Sequence, residues 1–521
     1  MKIAFVQRGY ELLGIEYLSA VLKRAGHQVR LFLEPRLFAD ELFFLPRLAR
    51  RFAYDDFLVD DIVAWQPDLL AASVMTCDLG FTRAIAGRVQ ARLPGTPLVV
   101  GGSHVTSATP ETMELPEVSF AVKGYGELPM LELCEALAAG RDPAGIANLW
   151  WRGRGGHTEH AEMREPFEGA ATLPWPDKDL YGEVSSLFDA DYVTAIGRGC
   201  PYRCSFCFHN LLNRLYERRA VWQRDNDDVL AELRWARDVR GVRFVRFVDD
   251  VFGVERAQTF ELLAAYAREI RLPFWALIDP RIADERLIEA LAAAGCVEVE
   301  VGLQSFDEEI RRNLLLRNER NERTARILDA LGDHGIRVTS DLMFGLPGEQ
   351  ADTWLELARF LNRHPPSRIN NFFLSFLPGV EMVDFAIRDG VLDAADVARI
   401  NRGETLRPFM WGGDTFDAAA ARYQLLLVLA VLLPRGWIDR LASHRVVRWL
   451  PGSMFLNQAL MNLGALLDRR AKNTVELRRS LRRYLSYGAP RLLGRRAPAR
   501  AGRPGPPPPP RRASATAPTA A

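Results

Sequence analysis

Long apolar runs are missing from this sequence: the longest, residues 425–433, falls far short of the roughly 18 to 20 residues that span a bilayer, and Pro434 ends it. No transmembrane helix is expected. A surplus of charge is missing as well, since 67 basic and 66 acidic residues leave a net charge of +1, and no overall electrostatic grip on nucleic acid is indicated. The opening MKIAFVQRGYELLG lacks the basic segment, apolar stretch and small-residue cleavage site of a secretory signal, so the cytoplasm is the expected location. Cysteine is sparse, six residues in 521, but three of the six fall within eight positions. A secreted disulfide framework belongs to short, cysteine-dense chains; this clustering points to metal instead.

With 48% hydrophobic and 26% charged residues the chain reads as globular, and its length implies about two to four domains. Residues 1–140 alternate apolar β-type runs (3–6, 29–33, 69–74, 98–100 and 118–122) with helical patterns such as Leu18, Val21 and Leu22 ahead of Gly26. Five strands interleaved with helices imply a doubly wound parallel sheet. Residues 141–188, with Trp150, Trp151, several glycines and Leu173-Pro174-Trp175-Pro176-Asp177, read as an interdomain connection. A second series of runs, 192–196, 242–248, 274–278, 297–301, 338–343 and 371–376, gives six βα repeats over 189–381 and suggests a partial parallel barrel. Residues 382–494 read as mostly helical, with an apolar helix near 423–433 and an amphipathic one near 456–467, and 495–521 read as a disordered Pro/Arg/Ala-rich tail. The fold class expected is α/β, with a helical C-terminal region.

Directly after the first barrel run stands Gly199-Cys200-Pro201-Tyr202-Arg203-Cys204-Ser205-Phe206-Cys207, a C-x-x-x-C-x-x-C spacing. A structural zinc site wants four ligands, for which His209 is the nearby candidate, but zinc cysteines normally come as two separated pairs. Three thiolates suit a [4Fe-4S] cluster that keeps one iron open, because electron-transfer clusters are normally closed by four. Cys77, Cys134 and Cys296 lie elsewhere and read as packing residues.

The cysteine motif, with Phe206 before the third cysteine and a barrel strand before the first, resembles that of radical S-adenosylmethionine (SAM) enzymes over most of 190–380. The resemblance implies that Cys200, Cys204 and Cys207 hold a [4Fe-4S] cluster which reduces bound SAM, releasing methionine and a 5′-deoxyadenosyl radical that abstracts hydrogen from substrate. It places Phe206 against the adenine, Asp249 and Asp250 near the SAM amino group, and Arg281, Gln304 and Ser305 near its carboxylate and ribose. The segment 341–349 resembles the fifth-strand turn of the same group.

A doubly wound sheet ahead of such a barrel resembles the cobalamin-binding radical SAM enzymes. Leu13 and Gly14 open the first helix, while Ser73, Gly101, Gly102 and Gly124 close strands where small residues let a flat corrin approach the backbone. A dinucleotide site is disfavoured, because Glu11 fills the middle glycine position between Gly9 and Gly14. No histidine precedes His27, so the D-x-H-x-x-G loop that supplies a lower cobalt ligand is absent, and His104 reads as a surface loop residue. The resemblance implies methyl transfer to an unactivated carbon of a small-molecule or lipid-like substrate, with an electron donor such as flavodoxin or ferredoxin. Cyclisation or rearrangement on the same scaffold is the alternative, and a cobalamin sensor or metal-stabilised binding protein the reading from another class. The apolar C-terminal helix and its neighbouring arginines allow peripheral membrane contact.

Overall fold

The computed structural model describes residues 1–40, 44–153, 155–182, 184, 191–219, 221–404, 415, 417–466 and 481–488. The expected tail, 495–521, lies outside them. Seven strands form the first sheet: β1 (Lys2–Arg8), β2 (Gln28–Glu34), β3 (Leu69–Ser73), β4 (Leu98–Gly101), β5 (Phe120–Val122), β6 (Leu149–Arg152) and β7 (Thr158–His160). Their order is β2-β1-β3-β4-β5-β6-β7, parallel through β5 and antiparallel beyond it. The strand order reverses between β1 and β3, so the crevice at their carboxyl ends is where a ligand of such a sheet is expected.

Parallel strands covered on both faces need apolar side chains throughout, and β1 obeys: Ile3, Ala4, Phe5 and Val6 are all buried. Phe5 packs toward Ile15, Leu22 and Leu133 on one face, while Val6 packs with Phe32, Ile62 and Ile85 on the other.

The stretch 141–188, expected as a connection, is corrected in its first part, which adds β6 and β7 to the sheet. Leu149 and Trp151 turn inward, 0% and 8% exposed, and Trp150 stacks on His160 at 4.4 Å. This alternation is only four residues long and sits between glycines, too short to carry a periodic signal.

The second sheet begins with the short β8 (Tyr192–Thr194), which a separate two-stranded pair follows, β9 (Gly197–Arg198) with β10 (Trp222–Gln223). It continues through β11 (Val245–Phe247), β12 (Phe274–Ile278), β13 (Cys296–Gln304), β14 (Arg337–Phe344) and β15 (Arg368–Phe373). All six strands of the order β15-β14-β13-β12-β11-β8 run parallel, with helices between them. Caps start two of those helices, Asp225 accepting from the amides of Asp227 and Asp228, and Asp284 from Leu287. Gly295 ends the second in the left-handed conformation at φ 93.

Phe247, Phe274, Leu287, Leu331 and Leu361 form the layer between strands and helices. The expected helix near 423–433 is Ala418–Leu432, whose Leu425, Leu426, Leu427 and Val428 are buried, the last three joining that same core. The one expected near 456–467 is Met454–Leu466. Among the described residues no helix is long and apolar enough to cross a membrane.

Candidate active site

Cys200, Cys204 and Cys207 sit on the loop between β9 and the helix Phe208–Leu215, whose N-cap is Cys207. The loop is pinned from several sides. Ser205 donates from its amide to the Leu315 carbonyl at 3.2 Å and from its hydroxyl to the Leu314 carbonyl at 2.5 Å. The Asn213 side chain donates to the Cys200 carbonyl at 2.9 Å, and the Met382 amide to the Ser205 carbonyl at 2.9 Å.

Positive charge gathers on the middle cysteine: Arg281 Nη2 lies 3.6 Å and Arg317 Nη1 3.8 Å from Cys204 Sγ. Arg281 is held by Asp279 at 2.6 Å and lies over the Tyr202 ring, 3.4 Å from its centre. Arg317 is held by Glu319 at 2.6 Å. Burial pushes the Cys200 thiol up to about 12 and the Cys207 thiol up to about 11, so neither ionises at neutral pH without a cation to bind. Three soft donors on one short loop, beside two guanidinium groups, fit an anionic iron–sulfur cluster. Among the described residues no three His, Cys, Asp or Glu side chains converge where a single ion could sit. His209 turns its Nε2 to Asp250 Oδ1 at 2.6 Å.

The adjacent aspartates after β11 part ways. Asp249 is buried and accepts from the amides of Gly197 at 2.6 Å and Ile196 at 3.1 Å, fastening the turn between β8 and β9. Asp250 faces the open space and accepts from the Gly199 amide at 3.1 Å. Burial raises the Asp249 carboxyl to about 7, against the two amides that favour its charged form.

The folded protein therefore keeps a proton that the unfolded chain releases near pH 4, and the stability this supplies is full below about pH 4 and lost as pH rises through 7. Asp249→Asn should remove that slope, on the order of a few kcal/mol between pH 5 and 8, in denaturant melts of the two proteins. Parallel pH profiles would show instead that Asp249 ionises normally.

Phe206 packs on the cluster of Leu314, Leu346 and Phe376. Gln304 ends β13 at φ 64, after a register shift between Gly302 and Gln304. Ser305 is buried, its hydroxyl accepting from the Asp307 amide at 3.3 Å and its carbonyl from Arg311 at 3.1 Å.

The ends of the two sheets meet across a cavity of about 350 Å³. Leu13, Gly14, Ser73, Gly101, Gly102 and Gly124 line it from the first sheet, and Gly197, Arg198, His209 and Asp250 from the barrel. A Cβ at Gly14 would meet nothing within 4 Å, and at Gly101 nothing nearer than 3.7 Å, so these glycines leave room a ligand can fill. Gly102 is glycine for the turn itself, at φ +97 with a Cβ placed 2.8 Å from the Val74 nitrogen.

Arg198, Glu127, Tyr17, Tyr125 and Trp222 also line the walls, and of these Arg198 and Trp222 are not marked by the sequence. Arg198 pairs with Glu127 at 2.7 Å and lies over Tyr17 at 5.0 Å, linking the cysteine-bearing segment to the first sheet's helices. Only its place two residues before Cys200 hinted at it. His104 corrects the surface reading: it is 1% exposed, bonds Thr76 Oγ1 at 3.2 Å, and burial lowers its ring to about 4.

Two family models match the chain: the B12 binding domain over residues 6–134 and the radical SAM superfamily over residues 194–361. The cytidylyl-2-hydroxyethylphosphonate methyltransferase of Streptomyces wedmorensis is 22% identical over 460 residues, covering 79% of this chain and 85% of that protein. The anaerobic magnesium-protoporphyrin IX monomethyl ester cyclase of Rubrivivax gelatinosus is 22% identical over 444 residues, covering 78% and 75%. In fold, the chain is similar to the radical SAM methyltransferase TsrM of Kitasatospora setae, with a TM-score of 0.59 at 21% identity over 74% of this chain and 76% of that one. The cofactors that follow from the two matched models are a [4Fe-4S] cluster with SAM for the barrel and cobalamin for the first sheet. The chain thus carries a B12 binding domain ahead of a radical SAM superfamily domain.

Proposed function

We propose that this enzyme transfers a methyl group from SAM to an unactivated carbon of a small molecule. The observation that carries the reading is the single cavity walled by both sheet ends, where Gly14 and Gly101 leave open space opposite Asp250 and His209. Cys200, Cys204 and Cys207 are assigned to the cluster, and Phe206, Asp250, Arg281, Gln304 and Ser305 to SAM, while Asp249, expected beside Asp250, is given to the turn whose Ile196 and Gly197 amides occupy both its oxygens. Leu13, Gly14, Ser73, Gly101, Gly102 and Gly124 are assigned to cobalamin.

When bound, the cluster with SAM supplies hydrogen abstraction, and cobalamin supplies a carrier for the methyl group. The chain's own task is to hold its ligands in line and exclude water, since a radical reacts with whatever is near. Asp249 and Ser205 fix the segments on which those ligand-binding residues stand. The one-electron donor assigned is a flavodoxin or ferredoxin, and a lipid-like substrate is within the class. Reconstituted enzyme given methyl-labelled SAM should yield labelled product; turnover to unlabelled product rules methyl transfer out.

Cyclisation is the second reading, favoured by the similarity to the Rubrivivax cyclase over most of both chains. The same labelling experiment decides between them.

The assignment of Cys204 makes a prediction about its buried neighbour. Arg317→Met removes a positive charge 3.8 Å from the sulfur, so the cluster should become harder to reduce and iron retention about 10- to 100-fold weaker. An EPR-monitored redox titration with iron analysis reads both. An unchanged midpoint would leave Arg317 a structural part alone, through its ties to Glu319, Asp279 and the Gly302 carbonyl.

A further inference from the structure

The outermost helical layer has no part in the site. Helix Ala418–Leu432 packs on helix Ala351–Arg363 and on β15, the last strand of the barrel sheet. The chain then turns back over it through the short helices Ile438–Leu441 and His444–Val447, before Met454–Leu466. Tyr423 bonds His444 at 2.6 Å, and Arg422 donates to the Arg448 carbonyl at 3.4 Å, which fastens this layer from beneath.

Its exposed side chains are unusual for a protein in water. Trp449 is 87% exposed, Trp437 59%, Phe455 53% and Leu432 49%. Most other tryptophans of the described chain are packed. Single exposed aliphatic residues need no explanation, but two bare indoles and a phenyl within one short segment do.

The charge on the same segment has one sign. Between 432 and 455 stand Arg435, Arg440, Arg445 and Arg448 against the single acid Asp439, in a chain whose net charge is only +1. All four arginines are exposed, and among the described residues none is paired with an acid. Some exposed arginines elsewhere find partners, Arg88 with Asp56 and Arg92 with Asp60, while others such as Arg50 and Arg326 have no acid partner among the described residues, so it is the joint presence of bare indoles and one-signed charge that sets this segment apart.

Exposed tryptophans beside unpaired arginines match an interface with two layers, apolar below and anionic above. Indole rings favour the head-group region, and arginine stems lie along apolar surface while their heads reach phosphate. We infer that residues 432–455 dock the enzyme on an anionic lipid bilayer, with Trp437, Trp449 and Phe455 entering the interface and the four arginines meeting the head groups. This inference rests on the exposed side chains and not on the methyl-transfer reading. The docked layer is carried on β15, so a substrate drawn from the bilayer would approach the barrel from its open edge.

Flotation of the full chain with vesicles tests it, using phosphatidylcholine alone or mixed with phosphatidylglycerol. Binding is expected to the mixed vesicles, weakening as salt is raised. The pair Arg445→Glu and Arg448→Glu should weaken it by at least about 30-fold, which is about 1 kcal/mol for each charge lost near an anionic surface. The pair Trp437→Ser and Trp449→Ser should weaken it by a comparable factor with little change in melting temperature, because both residues are mostly exposed.

No binding to anionic vesicles, equal binding to both compositions, or variants that bind like the parent would overturn the proposal. Sedimentation velocity showing self-association that Trp449→Ser abolishes would overturn it too, since the face would then belong to a second copy. Cleavage of SAM without vesicles should be the same in all variants, which separates this test from that of methyl transfer.

Discussion

Cys204→Ala is expected to abolish the cluster and, with it, reductive cleavage of SAM, lowering 5′-deoxyadenosine formation by at least roughly 1,000-fold, as when one member of a unit acting together is removed. Cys204 is the cysteine on which the site's charge is centred, 7% exposed and approached by Arg281 and Arg317. Both guanidinium groups keep their carboxylates in the variant, Asp279 and Glu319, so no unpaired charge is left buried and the fold should survive. The loop is also held by Ser205 and Asn213, whose bonds do not involve the sulfur. Loss of iron with an unchanged far-UV spectrum is therefore the expected pair of results. Cys296→Ala supplies the contrast, because that thiol is buried in β13 with its Sγ directed to the Glu298 carbonyl at 3.4 Å. It should alter stability and leave iron untouched. A Cys204→Ala protein that still holds a full cluster and cleaves SAM would remove the basis of the assignment.

The parts of the molecule legible in the sequence are those whose signal is local. β1 to β5 stand out because strands covered on both faces are written as short apolar runs, and the cysteine chelate because its spacing lies within eight residues. β15 begins at Arg368, three residues ahead of the expected run, since Arg368 and Asn370 interrupt the apolar pattern that marks a strand. β9 and β10, two residues each, are too short to carry any period. What surrounds the cysteines is hidden for another reason: Arg317 reaches Cys204 across 113 positions, and only the folded barrel brings them together. His104 was misread for the same cause. A histidine just past a strand end is ordinarily at the surface, but here Asn401 crosses from the post-barrel region to Glu111 at 2.7 Å and the segment covers it.

Gly14→Phe should separate the two cofactors. Gly14 is the second residue of helix Leu13–Arg24, where a Cβ would meet no atom within 4 Å, and it lines the shared cavity. Replacing glycine inside a helix removes a penalty of up to about 1 kcal/mol, so the variant should melt no lower than the parent. The ring would instead crowd the ligand. Overpacking of about 1–3 kcal/mol corresponds to roughly 5- to 150-fold weaker retention of cobalamin, read from its visible spectrum after gel filtration. Iron content and 5′-deoxyadenosine formation should persist, because the cysteine loop is held by Ser205 and Asn213, remote in sequence from that helix. Methyl transfer should fall with cobalamin. Gly102→Ala cannot make this distinction, since its Cβ would press on Val74 at a left-handed φ and destabilise the turn before any ligand is considered. If Gly14→Phe binds cobalamin as the parent does, the open space beside Gly14 is not where the corrinoid sits, and the division of the cavity between the two sheets must be redrawn.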